Sequence, residues 1–171
     1  MYDQNKVDEF FFRSEELIGK VDKEEAFSII TKEIEDCEDQ YFNEYITVLS
    51  LIRNDKVLDW IEINIHRTVN IGQNWGHLVA SSYLSWSRAE KWLSAGRPLC
   101  LVALDGIMFC TTVGERLNQS LWMREIQPKL IDNPKPEIVA TRLQKHLQID
   151  NTHLTKTIIN KIIENLFDAR Q

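Results

Sequence analysis

Glycine and proline are scarce in this chain, six and four residues in 171, which excludes collagen-like and low-complexity classes. The three cysteines, Cys37, Cys100 and Cys110, are an odd number with no Cys-x-x-Cys spacing. That argues against a disulfide-stapled secreted scaffold and for a reducing, cytoplasmic setting. No stretch alternates apolar and polar residues with period two, and the one Asp-Gly pair, Asp105-Gly106, lies in a helical run rather than between two β-branched ones. The start, Met1-Tyr2-Asp3-Gln4-Asn5, is polar and acidic, so no secretory signal is expected. The longest apolar run, Pro98 to Val113, has 16 residues and holds Asp105 near its middle. A spanning helix needs about 18 or more, so a buried core helix is expected and a membrane segment is not. Gly-rich phosphate loops, His-Glu-x-x-His, Gly-x-Ser-x-Gly and calcium-loop patterns are missing, which excludes the common nucleotide-using enzymes.

What is present is acidity, unevenly spread. The chain has 26 acidic and 20 basic residues, a net charge of -6. Residues 1–55 carry 15 acids against 6 bases, and residues 56–171 carry 11 against 14. A general nucleic-acid binder would show a basic footprint, so nucleic acid is not an expected partner. The acidic first third reads as a solvated helix pair or as a surface for a basic partner protein. Its densest run, Glu33-Ile34-Glu35-Asp36-Cys37-Glu38-Asp39, lacks the glycine and alternating oxygen ligands of a calcium loop. Within it, Glu35, Asp36, Glu38 and Asp39 are candidate binding residues.

Helical periodicity recurs throughout, and the length suits one domain over residues 1–171. The spacing predicts helices from about Lys6 to Ile18, from an Asp22 cap to about Cys37, and over the stripe Tyr41, Phe42, Tyr45, Val48, Leu49 and Ile52. After Asn54-Asp55 a fourth helix carries Val57, Leu58, Trp60, Ile61 and Ile65. One long helix is expected from Trp75 to Ser94, since Trp75, Val79, Trp86, Ala89 and Leu93 fall within about 40° of one line. Gly96 supplies a left-handed stop, and the Pro98–Val113 helix, apolar nearly all round, should be central. Helices from Glu115 to Ile126, Pro136 to about Leu147 and Leu154 to Phe167 complete an all-α fold.

A shift of 41 residues aligns two helix pairs. Phe42 falls on Tyr83, Tyr45 on Trp86, Val48 on Ala89, Leu51 on Trp92 and Ile52 on Leu93. Val57, Leu58, Trp60 and Ile61 fall on Pro98, Leu99, Leu101 and Val102. This spacing resembles the HEAT/armadillo type of helical repeat over about residues 40–110. The resemblance implies antiparallel helix pairs stacked as a short α-α superhelix, the alternative being an irregular multi-helix bundle. It also implies a binding scaffold rather than a catalyst.

The side-chain chemistry is sparse. Asp105 is the one charge in its apolar helix and calls for a partner, with Arg88, Arg97 and Arg116 as candidates. His66, His77, His146 and His153 are scattered, and no two His or Cys residues share the helical spacing of metal ligands, so neither metal nor cofactor is expected. Cys100 and Cys110 point about 80° apart on a helix and read as small core hydrophobes. Trp92 lies about 100° round from Trp75 and is a candidate surface anchor. Three functions follow: a non-catalytic module that binds another protein, an inhibitor or immunity-type protein against a basic toxin, and an enzyme built around Asp105 with His77 or Arg88.

Overall fold

The computed structural model describes residues 1–67, 74–111 and 129–167. Among them the chain forms nine α-helices, two 3-10 segments and no strand, so the fold is all-α. The helices are α1 (Gln4–Lys20), α2 (Lys23–Asp36), α3 (Asp39–Tyr45), α4 (Lys56–Asn64), α5 (Asn74–Ser81), α6 (Trp86–Ser94), α7 (Leu99–Thr111), α8 (Pro136–His146) and α9 (His153–Leu166). The 3-10 segments are Ile46–Leu51 and Ile65–Arg67.

Helix starts follow local capping chemistry. The Asp22 carboxylate accepts the Glu25 N–H at 2.8 Å, and the Thr152 hydroxyl accepts that of Thr155 at 3.4 Å. Gly96, at φ +80°, makes the left-handed turn between α6 and α7, a conformation that side chains with a Cβ resist.

The stripe expected to run as one helix from Tyr41 to Ile52 tightens into 3-10 form at Ile46. The Thr47 hydroxyl bonds the Glu44 carbonyl and the Ser50 hydroxyl the Thr47 carbonyl, both at 2.8 Å, a three-residue reach that suits the narrower turn.

The helix expected from Trp75 to Ser94 is two helices. Tyr83 sits at φ +66° and ends the first; Ser85 starts the second by accepting the Arg88 N–H at 3.0 Å. A remote residue fixes the break: the Asp132 carboxylate accepts the N–H of Trp86 at 2.6 Å and of Ser87 at 3.1 Å. Two orphan donors of α6 thus find a negative charge at the helix's positive end. The expected helix Glu115–Ile126 lies outside the described residues.

The core forms around α7, which packs against α5, α6 and α9. Cys100, Val102, Ala103, Leu104, Gly106, Ile107 and Cys110 of α7 are buried. Its crossing with α5 is close because glycine is used on both sides. A Cβ on Gly76 would lie 2.8 Å from the Asp105 carbonyl oxygen, and one on Gly106 would lie 2.6 Å from a Val79 methyl.

The N-terminal helices join the same core through aromatic packing. Phe10 of α1 stacks on Tyr45 with ring centroids 4.0 Å apart and planes 5° from parallel. Among the residues paired by the 41-residue shift, Val48 and Ala89 are both fully buried. Phe42 is buried where Tyr83 is exposed, and Leu51 is at the surface where Trp92 is fully buried.

Candidate functional site

The acidic run spans the end of α2 and the start of α3, and the fold splits it between two faces. Glu35 accepts the Trp60 indole N–H at 3.1 Å, and Asp39 pairs with Arg67 at 2.9 Å. Arg67 also donates to the carbonyls of Ile34, Glu35 and Cys37 at 2.9–3.2 Å and lies over the Phe42 ring. It thereby closes the C-terminal end of α2, where unpaired carbonyls and the helix dipole both favour a cation.

Asp36 and Glu38 turn instead into a groove of about 380 Å³, lined also by Lys6, Glu9, Arg13 and Glu33 over Cys37, Tyr41 and Tyr45. Four carboxylates there face two cations. The pairs within the groove are exposed: Lys6 to Glu38 at 3.9 Å and Arg13 to Glu33 at 2.7 Å. Such pairs stabilise by about 0–1 kcal/mol and exchange readily for other partners. Glu9 and Glu33 were not among the expected site residues. They join the groove because α1 and α2 pack side by side, a long-range fact that no local pattern encodes.

Trp92 is not a surface anchor. It is fully buried, and its indole N–H donates to Glu62 at 2.7 Å. The 100° angle from Trp75 holds only along one continuous helix, and the break at Tyr83 resets it. Glu62 of α4 also accepts from Arg88 at 2.9 Å and pairs with Lys91 at 3.3 Å, while Arg88 reaches Asp59 at 2.9 Å. Burial pushes the Glu62 carboxyl up, but the hydrogen bonds from Trp92 and Lys91 and the nearby positive charges outweigh it and hold it below its ordinary value. This cluster ties α4 to α6.

Arg88 and Arg97, the expected partners of Asp105, are therefore engaged elsewhere. Arg97 forms a fork with Asp150, Nε at 2.8 Å and Nη2 at 3.1 Å. Asp105 itself is half-buried on α7, its backbone close against Gly76. Arg116 lies outside the described residues.

The Arg97–Asp150 pair borders a group that the sequence reading did not assemble. Cys100, second residue of α7, meets His146, last residue of α8, and Asp150, with one ligand-type atom of each within 4.8 Å of the others. His146 is 1% exposed, and neither ring nitrogen has a hydrogen-bond partner among the described residues. Burial and the Arg142 charge push its imidazole down and favour the neutral ring. Burial pushes the Cys100 thiol up, and the Cys110 thiol up to about 12. The pairing was legible in one respect: His146 and Asp150 are four residues apart.

Set against known protein families, curated proteins and solved structures, the chain matches none. No helix among the described residues is long and apolar enough to cross a membrane.

Proposed function

We propose that this protein is a non-catalytic binding module that docks a basic segment of another protein in the α1–α2 groove. The observation that carries this reading is the groove's charge. Glu9, Glu33, Asp36 and Glu38 stand around a floor of Tyr41 and Tyr45, against Lys6 and Arg13 in the lining and Lys32, which pairs with Asp36 at 3.5 Å. Lysine and arginine side chains suit such a lining, because carboxylates take their charge. The wider field agrees, with 15 acids against 6 bases in residues 1–55. A field of that sign speeds encounter with a basic partner and weakens as salt screens it. A basic toxin held by an inhibitor of this kind is a special case of the same chemistry.

The test is binding of a short Arg/Lys-rich peptide to the full chain, followed by calorimetry at two salt concentrations. Charge reversal of the groove in Glu9→Lys/Asp36→Lys/Glu38→Lys should weaken binding at least tenfold and flatten its salt dependence. Equal affinity in the two proteins would overturn the proposal. Glu35→Gln, outside the groove, serves as the comparison and should bind as the wild type does.

A further inference from the structure

We propose that Cys100, His146 and Asp150 form a site for one zinc-class divalent ion, which clamps the start of α7 to the end of α8. This goes beyond the groove and does not depend on it. Three observations converge. The first is assembly: the thiol, imidazole and carboxylate meet within 4.8 Å although Cys100 lies far from the other two in sequence. His146 and Asp150 are brought to the same side by the turn between them, in which the N–H groups of Ile149 and Asp150 both donate to the His146 carbonyl.

The second is the state of His146. Buried polar groups are nearly always hydrogen-bonded, and leaving one unpaired is destabilising. Here a ring that is 1% exposed has both nitrogens unmatched among the described residues, yet one of them stands among two other donors of ligand type. An apolar side chain would fill that space without the cost. A metal ion gives the ring a partner that the polypeptide does not.

The third is the support around the carboxylate. Among the described residues, Asp150 Oδ1 accepts from Arg97 and from the backbone and hydroxyl of Thr152, while Oδ2 accepts only the Arg97 Nε at 2.8 Å. A carboxylate offers about four acceptor positions, so Oδ2 retains room for an ion. Second partners that hold a ligating carboxylate in orientation are a regular part of metal sites. The Asp150 side chain is 11% exposed under a half-exposed Arg97, which marks the route of entry.

The donor set selects the ion. Thiolate and imidazole favour zinc over magnesium or calcium, which take oxygen. Zinc bonds of about 2.0–2.3 Å set ligand atoms about 3.3–3.6 Å apart, so closure from the present spacing needs side-chain shifts of about 1 Å. Binding releases the Cys100 proton to solvent and leaves a thiolate on the metal. Three protein ligands leave a fourth position for water or a partner's side chain.

The experiment uses the full chain, reduced and stripped of metal with a chelator, and titrates it with Co²⁺ as a spectroscopic stand-in for Zn²⁺. One equivalent should raise a near-ultraviolet sulfur-to-cobalt charge-transfer band with visible d–d bands, and Zn²⁺ should displace it. Cys100→Ser and His146→Gln should each weaken binding at least tenfold; Cys37→Ser and Cys110→Ser should not. As a second readout, Zn²⁺ should raise the melting temperature of the wild type and of Cys37→Ser but not of Cys100→Ala. A wild type with no charge-transfer band, or a band that survives in Cys100→Ser, would overturn the proposal.

Discussion

At the scale of single residues, close packing and long-range polar contacts decide more than propensity does. Gly76 and Gly106 both sit where α5 and α7 cross, but their surroundings differ. A Cβ at 76 meets the Asp105 carbonyl carbon and oxygen at 2.9 and 2.8 Å, and backbone cannot move aside without moving the helix. A Cβ at 106 meets methyl groups of Val79 and Leu84 at 2.6 and 2.8 Å, side-chain atoms rather than backbone. Overpacking costs about 1–3 kcal/mol, while replacing a helical glycine with alanine returns about 1 kcal/mol. Gly76→Ala should therefore lower the melting temperature clearly and Gly106→Ala much less, as read by thermal unfolding; the reverse order would contradict the packing described. Local caps such as Asp22 and Thr152 were legible in the sequence because donor and acceptor lie within three residues. Arg67, which closes α2 from 30 or more residues away, was not.

At the scale of elements, the sequence pattern located helices well but missed the 3-10 tightening at Ile46 and the break at Tyr83. The apolar stripe runs on from α5 into α6, so periodicity alone shows no break; Ser85 was the available local signal, and Asp132 the decisive, remote one. Asp132 gains its hold from two backbone N–H groups at a helix start, and these outweigh the upward push of burial and keep its carboxyl below the ordinary value. Asp132→Ala should then cost more than Ser85→Ala, whose single neutral cap is worth about 1 kcal/mol. Chemical denaturation of the two variants, with the slope unchanged, is the measurement. Equal losses would mean that the 129–133 loop is not what fixes the start of α6. The same distance problem hid the site residues: Asp36 and Glu38 were readable as an acidic run, whereas Glu9 and His146 acquire their roles only when helices distant in sequence meet.

At the scale of the whole molecule, the apolar α7 is central as its composition predicts, and charged clusters tie the outer helices to one another around it. Several of those charges make the fold sensitive to acid. Burial and the Arg142 charge push the His146 imidazole down, so its contribution is complete above the ordinary value of about 6.5 and is lost as the pH falls below it. The hydrogen bonds of Arg97 and Thr152 hold Asp150 far below the carboxylate range, and this contribution is lost as the pH falls below about 4. In metal-free protein the melting temperature should fall in two stages on acidification, the upper stage absent in His146→Gln. A flat profile from pH 7 to 5 would contradict the buried neutral ring.

A basic partner of this protein binds in the α1–α2 groove under the proposed function, and nuclear magnetic resonance reads that position directly. Titrating an Arg/Lys-rich peptide into the labelled full chain should move the amide signals of residues 6–13 and 33–45, which border the groove, and leave those of α8 and α9 in place. Shifts centred on α8 or α9, or no shifts at peptide concentrations in the millimolar range, would contradict it.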